Sequence, residues 1–129
     1  MQLLTEEDRA LFAEKYPLYS QDKKRGDALV VLKYFLPGTA ATWYILEGQP
    51  EGDDFIFFGY VAGLCPGGDE YGYISLKELE SVVIRVPMVD AKTEKEIGLL
   101  PCHVEKDLYF TPKPIKEIFP DLWPEKKRK

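Results

Sequence analysis

Apolar residues recur along this chain in two rhythms. In LLTEEDRALFAEKYP, near the N-terminus, Leu4, Leu11 and Phe12 fall at helical spacing among charged residues. Thr5 stands where an N-cap is needed, and Asp8 three residues later completes a near capping box. Three acids crowd the first turn, where the helix dipole favours them, and Pro17 limits the far end. The pattern predicts a short helix, followed by a polar connector, YSQDKKRGD.

Beyond Ala28 the rhythm changes. ALVVLKYFL, TWYILE and DFIFFGYVAGL are runs of β-branched and aromatic residues, punctuated by Pro37-Gly38, GQPEGDD and CPGGDE. They predict three strands, the second and third joined by a seven-residue loop, Gly48 to Asp54. Along the third, Phe55, Phe57 and Val61 share one face, while Ile56, Phe58 and Tyr60 share the other. On the second, Tyr44 and Leu46 oppose Trp43 and Ile45. Both faces are apolar, so this hairpin is expected at the centre of a sheet covered on both sides.

YGYI then reads as a brief strand, and SLKELES as a short helix capped by the Ser75-x-x-Glu78 pattern. VVIRVPMV is a strand whose Pro87 points to an edge or a bulge. DAKTEKE is a polar loop, IGLLPCHV the expected last strand, and TPKPIKEIF a helix opening on prolines. Short links between successive strands favour antiparallel pairing. The expected fold is α+β: one compact domain over residues 1–124, with an antiparallel meander, an N-terminal helix and one or two further short helices. Residues 125–129, EKKRK, form an expected frayed basic tail.

Length and composition agree with that picture. A chain of 129 residues, 45% hydrophobic and 30% charged, suits a single globular domain. The net charge of −5 disfavours generic nucleic-acid binding, which needs a basic face. No apolar run reaches membrane-spanning length, and the acidic N-terminus has no leader pattern, so the cytoplasm is the expected address.

Candidate chemistry is sparse. Cys65 and Cys102 are the two cysteines and His103 the single histidine, too few for a zinc site. Adjacent Cys102 and His103 on a strand point to opposite faces, which argues against a dyad. GLCPGGDEYGY lacks the lysine and long helix of a phosphate cradle. No nucleophile elbow, phosphate loop or dinucleotide fingerprint is present. No catalytic residue, metal or cofactor is therefore assigned, and an enzyme is not expected.

Charge distribution says more. From Tyr34 to Leu76 there is no lysine or arginine over 43 residues, yet six acids remain: Glu47, Glu51, Asp53, Asp54, Asp69 and Glu70. A segment of one sign is expected to form an acidic patch able to meet a basic protein groove, with Tyr71 and Tyr73 adding amphipathic contact at its rim. The plainer reading is a core sheet in which charges are scarce, with each acid in a solvated loop. Two other readings compete: nucleic-acid binding through Lys23–Arg25 and the tail, and a metal-dependent hydrolase using the carboxylates.

PLYSQ (Pro17–Gln21), TWYILEG with FFGYVAG (Phe57–Gly63), YGYISLKELESV (Tyr71–Val82) and VEKDLYFTPKPIKEI (Val104–Ile118) occur in an order that resembles domain-of-unknown-function family 2958, small proteins of plasmids, phages and conjugative elements. The stretch RVPMVDAKTEKEIGLLPCH, Arg85 to His103, falls outside these motifs and is expected to be a local elaboration. The resemblance implies overlap with an anti-CRISPR group that inhibits Cas9. It therefore implies a non-enzymatic inhibitor of a type II effector that blocks DNA binding or cleavage. The alternative is a mobile-element accessory protein that binds nucleic acid or another host protein.

Overall fold

A computed structural model describes residues 2–64 and 68–120. Helix α1 spans Glu6–Lys15. Its capping box is complete: Asp8 N–H donates to Thr5 Oγ1, and Thr5 N–H to Asp8 Oδ2, both at 3.0 Å. Satisfying two end amides in this way holds the helix start. Asp8 also receives Lys106 Nζ at 2.6 Å, tying α1 to a residue 98 positions later.

The run ALVVLKYFL is split rather than continuous. Strand β1 is Leu29–Val30 and β2 is Leu32–Phe35. Val30 belongs to one buried cluster, while Val31 and Leu32 both belong to the other, so the strict alternation fails at Val31. The backbone bends there, and Val31 N–H donates to Ile45 O at 2.8 Å.

Strand β3 covers Thr42–Glu51 and β4 covers Asp54–Ala62. The expected loop from Gly48 to Asp54 is therefore mostly strand, and only Gly52 and Asp53 make the turn. Gly52 has φ +59, a conformation that glycine adopts without steric cost and that two-residue hairpins require. Strand β5 is Glu70–Ser75, and helix α2 follows over Leu76–Ser81 with Ser75 as its N-cap. The expected turn CPGGDE falls partly outside the described residues, as does Cys65.

Strands β6 (Val83–Val89) and β7 (Glu96–His103) form a two-stranded antiparallel sheet of their own. A tight turn closes it, with Asp90 Oδ1 accepting the amides of Lys92 and Thr93. A bulge lies at Met88/Val89, beside Pro87. IGLLPCHV is not the last strand: β8 (Glu105–Lys106) and β9 (Lys113–Pro114) follow. Strand β9 takes Lys113 and Pro114, so helix α3 is confined to Ile115–Ile118. The predicted tail lies outside the described residues.

The principal sheet has the order β5-β4-β3-β2-β8, antiparallel throughout, while β1 pairs with β9 apart from it. Trp43, Ile45, Phe55 and Phe57 line one face beneath Leu3, Leu4, Phe12 of α1, Leu76 and Leu79 of α2, and Cys102 of β7. The Phe12 ring stands 5.8 Å from those of both Phe55 and Phe57. Leu46, Phe58 and Tyr60 line the opposite face beneath Ala28, Val30 and Ile115. The aromatic hairpin is thus central and covered on both sides, an antiparallel α+β arrangement.

Candidate protein-docking surface

The six acids of the base-free segment do not form one surface. Glu47 is fully buried and leaves the surface set. Its oxygens accept the backbone amides of Tyr19 and Gln21, each at 2.8 Å. The cause is a bulge between Ile45 and Glu47, which pairs Glu47 with Phe58 and keeps it on the face beneath the connector. Gln21 is buried beside it: its amide nitrogen donates to the carbonyls of Leu29 and Leu46, and its oxygen accepts from Leu29 N. The connector is therefore pinned to the sheet by a satisfied polar network.

Asp53 and Asp54 are engaged as well. Lys77, the first base beyond the segment, folds back to Asp53 at 2.6 Å and holds its carboxyl below the ordinary range. Asp54 accepts the Ser75 hydroxyl and the amides of Phe55 and Lys77. The Ser75 hydrogen bond is the main cause of its lowered pKa. Asp54 thus reinforces the α2 N-terminus, where orphan amides need acceptors. Glu51 is exposed at this end of the sheet.

Asp69 and Glu70 stand at the other end. Glu70 pairs with Val61, and seven steps of β4 separate Val61 from Asp54, roughly 23 Å at about 3.3 Å per residue. Asp69 Oδ1 accepts the Gly63 amide at 2.9 Å. Tyr71 lies between Phe58 and Tyr60, and burial pushes its hydroxyl pKa up. Tyr73 is half exposed, packs on Phe58 and donates to the Tyr19 hydroxyl at 3.0 Å.

Cys102 is buried and His103 exposed, on opposite faces of β7 as strand geometry requires. Among the described residues, no group of three His, Cys, Asp or Glu side chains could hold a metal ion. No helix among them is long and apolar enough to cross a membrane.

The β6–β7 hairpin is the surface that sequence reasoning missed. Ile84, Val86 and Cys102 face the body and pack on the core. The remaining apolar side chains have no such cover: Val89 is 56% exposed, Ile97 62% and Leu99 56%, with Val83, Met88 and Leu100 also open. Isolated exposed apolar residues are ordinary, but six on one two-stranded element, with Val83, Val89 and Leu99 in its outward phase, give exposed apolar surface of the kind that marks interaction sites. The legible signal was apolar residues in both strand phases, in VVIRVPMV and IGLLP alike. Where β7 meets the body, a cleft of about 570 Å³ opens between Leu100–Glu105, Leu3, Pro37, Leu79 and Glu80.

Fold and surface together define a small antiparallel α+β protein that carries an apolar hairpin outside its sheet. The chain belongs to the family of proteins of unknown function DUF2958, whose sequence model matches residues 3–118. No curated protein and no solved structure matches it. The match runs through the hairpin stretch that the quoted motifs left out.

Proposed function

We propose that this chain is a non-catalytic protein-binding module that docks through the β6–β7 hairpin onto a basic nucleic-acid-handling effector of the Cas9 type, inhibiting it. The observation that carries the binding role is the hairpin itself, with Val89, Ile97 and Leu99 more than half exposed on an element outside the main sheet. Interface cores draw on such apolar side chains, and their rims are polar. A net charge of −5 suits a basic partner, because opposite potentials speed encounter. The Cas9 identity rests on the family resemblance.

Purified Cas9, with and without guide RNA, serves as the prey in a pull-down read beside a DNA-cleavage assay. Capture and loss of cleavage are expected. The Val89→Asp, Leu99→Asp double variant is expected to keep its melting temperature, because both side chains are exposed, and to lose capture by at least tenfold. Undiminished capture by that variant overturns the hairpin as the docking element. Absence of capture in both Cas9 states overturns the choice of effector.

A further inference from the structure

The cleft at the root of the hairpin has walls and rim of different chemistry. Leu3, Leu79 and Leu100 give it apolar walls, while Glu80 of α2 and Glu105 of β8 bring two carboxylates to the same space. Among the described residues, no ion pair or hydrogen bond engages the carboxylate of Glu80 or Glu105. Lys77 offsets part of the Glu80 charge from a distance, and an apolar wall beside the two carboxylates suits a group with a hydrocarbon stem and a cationic head. Lysine and arginine side chains have that form, burying the stem while the head reaches oxygen acceptors. A charge-assisted hydrogen bond to a carboxylate is about twice as strong as a neutral one.

We infer that this cleft seats a basic side chain of the protein partner, arginine before lysine, flanked in the partner's sequence by apolar residues that pack on Leu100. Arginine is favoured because its planar fork offers five donors matched to carboxylate oxygens. The inference rests on the docking role proposed above and names the partner's chemistry: an apolar segment interrupted by one cation. Leu100, half exposed and paired with Val86 on the body-facing side of the hairpin, lines the cleft, so the seat lies at the root of the docking element.

The probe is acetyl-Leu-Arg-Leu-amide, titrated into the full chain and followed by amide NMR. Its control is acetyl-Leu-norleucine-Leu-amide, which keeps the stem and drops the charge. Shifts are expected at Leu79, Glu80, Leu100 and Cys102–Glu105, with the control binding at least fivefold more weakly. The Glu80→Gln, Glu105→Gln double variant is expected to bind the arginine peptide no better than the control. Equal affinity for both peptides, shifts centred elsewhere, or an unaffected double variant overturns the cleft assignment. Sedimentation of the chain alone tests the rival occupant: a dimer that Leu100→Asp separates gives this face to a second copy and overturns the inference. The two readings fail separately. A cleft that ignores the peptide leaves the hairpin's pull-down result standing, and a hairpin variant that still captures partner leaves the cleft's peptide result standing.

Discussion

At the scale of single residues, Glu47 shows how much a neighbour in space can change a side chain's meaning. In the sequence it resembles Glu51, four positions on, and nothing local distinguishes the two. A one-residue bulge turns it under the connector, where it accepts two backbone amides, that of Gln21 buried and that of Tyr19 partly so. Replacing it by alanine removes the acceptor from both amides, and a buried donor left without a partner costs about 1–3 kcal/mol. Glu47→Ala is therefore expected to lower unfolding free energy by about 2–5 kcal/mol in urea titration, and Glu47→Gln by less, since one acceptor oxygen remains. Asp54 makes a different prediction. Its folded pKa lies below the ordinary 3.8, so it contributes stability above that value and loses it as pH falls through the lower folded value. Acid titration of the urea midpoint should show a decline beginning near 3.8, and Asp54→Asn should shallow it.

At the scale of elements, local chemistry was legible and tertiary geometry was not. The caps at Thr5 and Ser75 are contacts over three residues, so their spelling in the sequence was enough to place α1 and α2. The alternation along Phe55–Val61 assigned its two faces correctly, because strand periodicity is set by the backbone alone. The break at Val31 has no such signature: it arises because β1 must meet β9, some eighty residues later. The overestimated loop has a related cause. Gly48, Pro50 and Asp54 are turn formers by type, but Gly48 is held in β3, where its N–H donates to Tyr16 O and an added Cβ would meet the Phe55 ring at 2.5 Å. Gly59, at the crossing of β3 and β4, allows a sharp test. A Cβ there would lie 2.2 Å from the Tyr44 carbonyl oxygen, a backbone atom that cannot swing aside. Gly59→Ala is expected to cost about 3 kcal/mol or more, read as a lowered melting temperature.

At the scale of the whole molecule, charge along the chain proved a poor guide to charge on the surface. The 43 base-free residues cross the sheet as antiparallel strands, which sends Glu51 and Glu70 to opposite ends. Lys77 then returns to neutralise Asp53, and the predicted patch dissolves into separate carboxylates. Such exposed charges act on encounter more than on grip. Glu51→Lys with Glu70→Lys should slow association with a basic partner and flatten its dependence on salt, leaving the dissociation rate within about twofold, measured by surface plasmon resonance. The Val89→Asp, Leu99→Asp variant should show the reverse, a fast dissociation with near-normal association.

The manner of the hairpin's attachment has a consequence for how such a protein can change. Val83 sits directly opposite His103, so the chain leaves the body and rejoins it at neighbouring points. No strand of the principal sheet pairs with β6 or β7. The tip between Asp90 and Lys95 can therefore be lengthened, shortened or exchanged without shifting the register of any other strand. Diversification confined to that tip would retune the chain toward a new partner while the scaffold beneath it stayed the same.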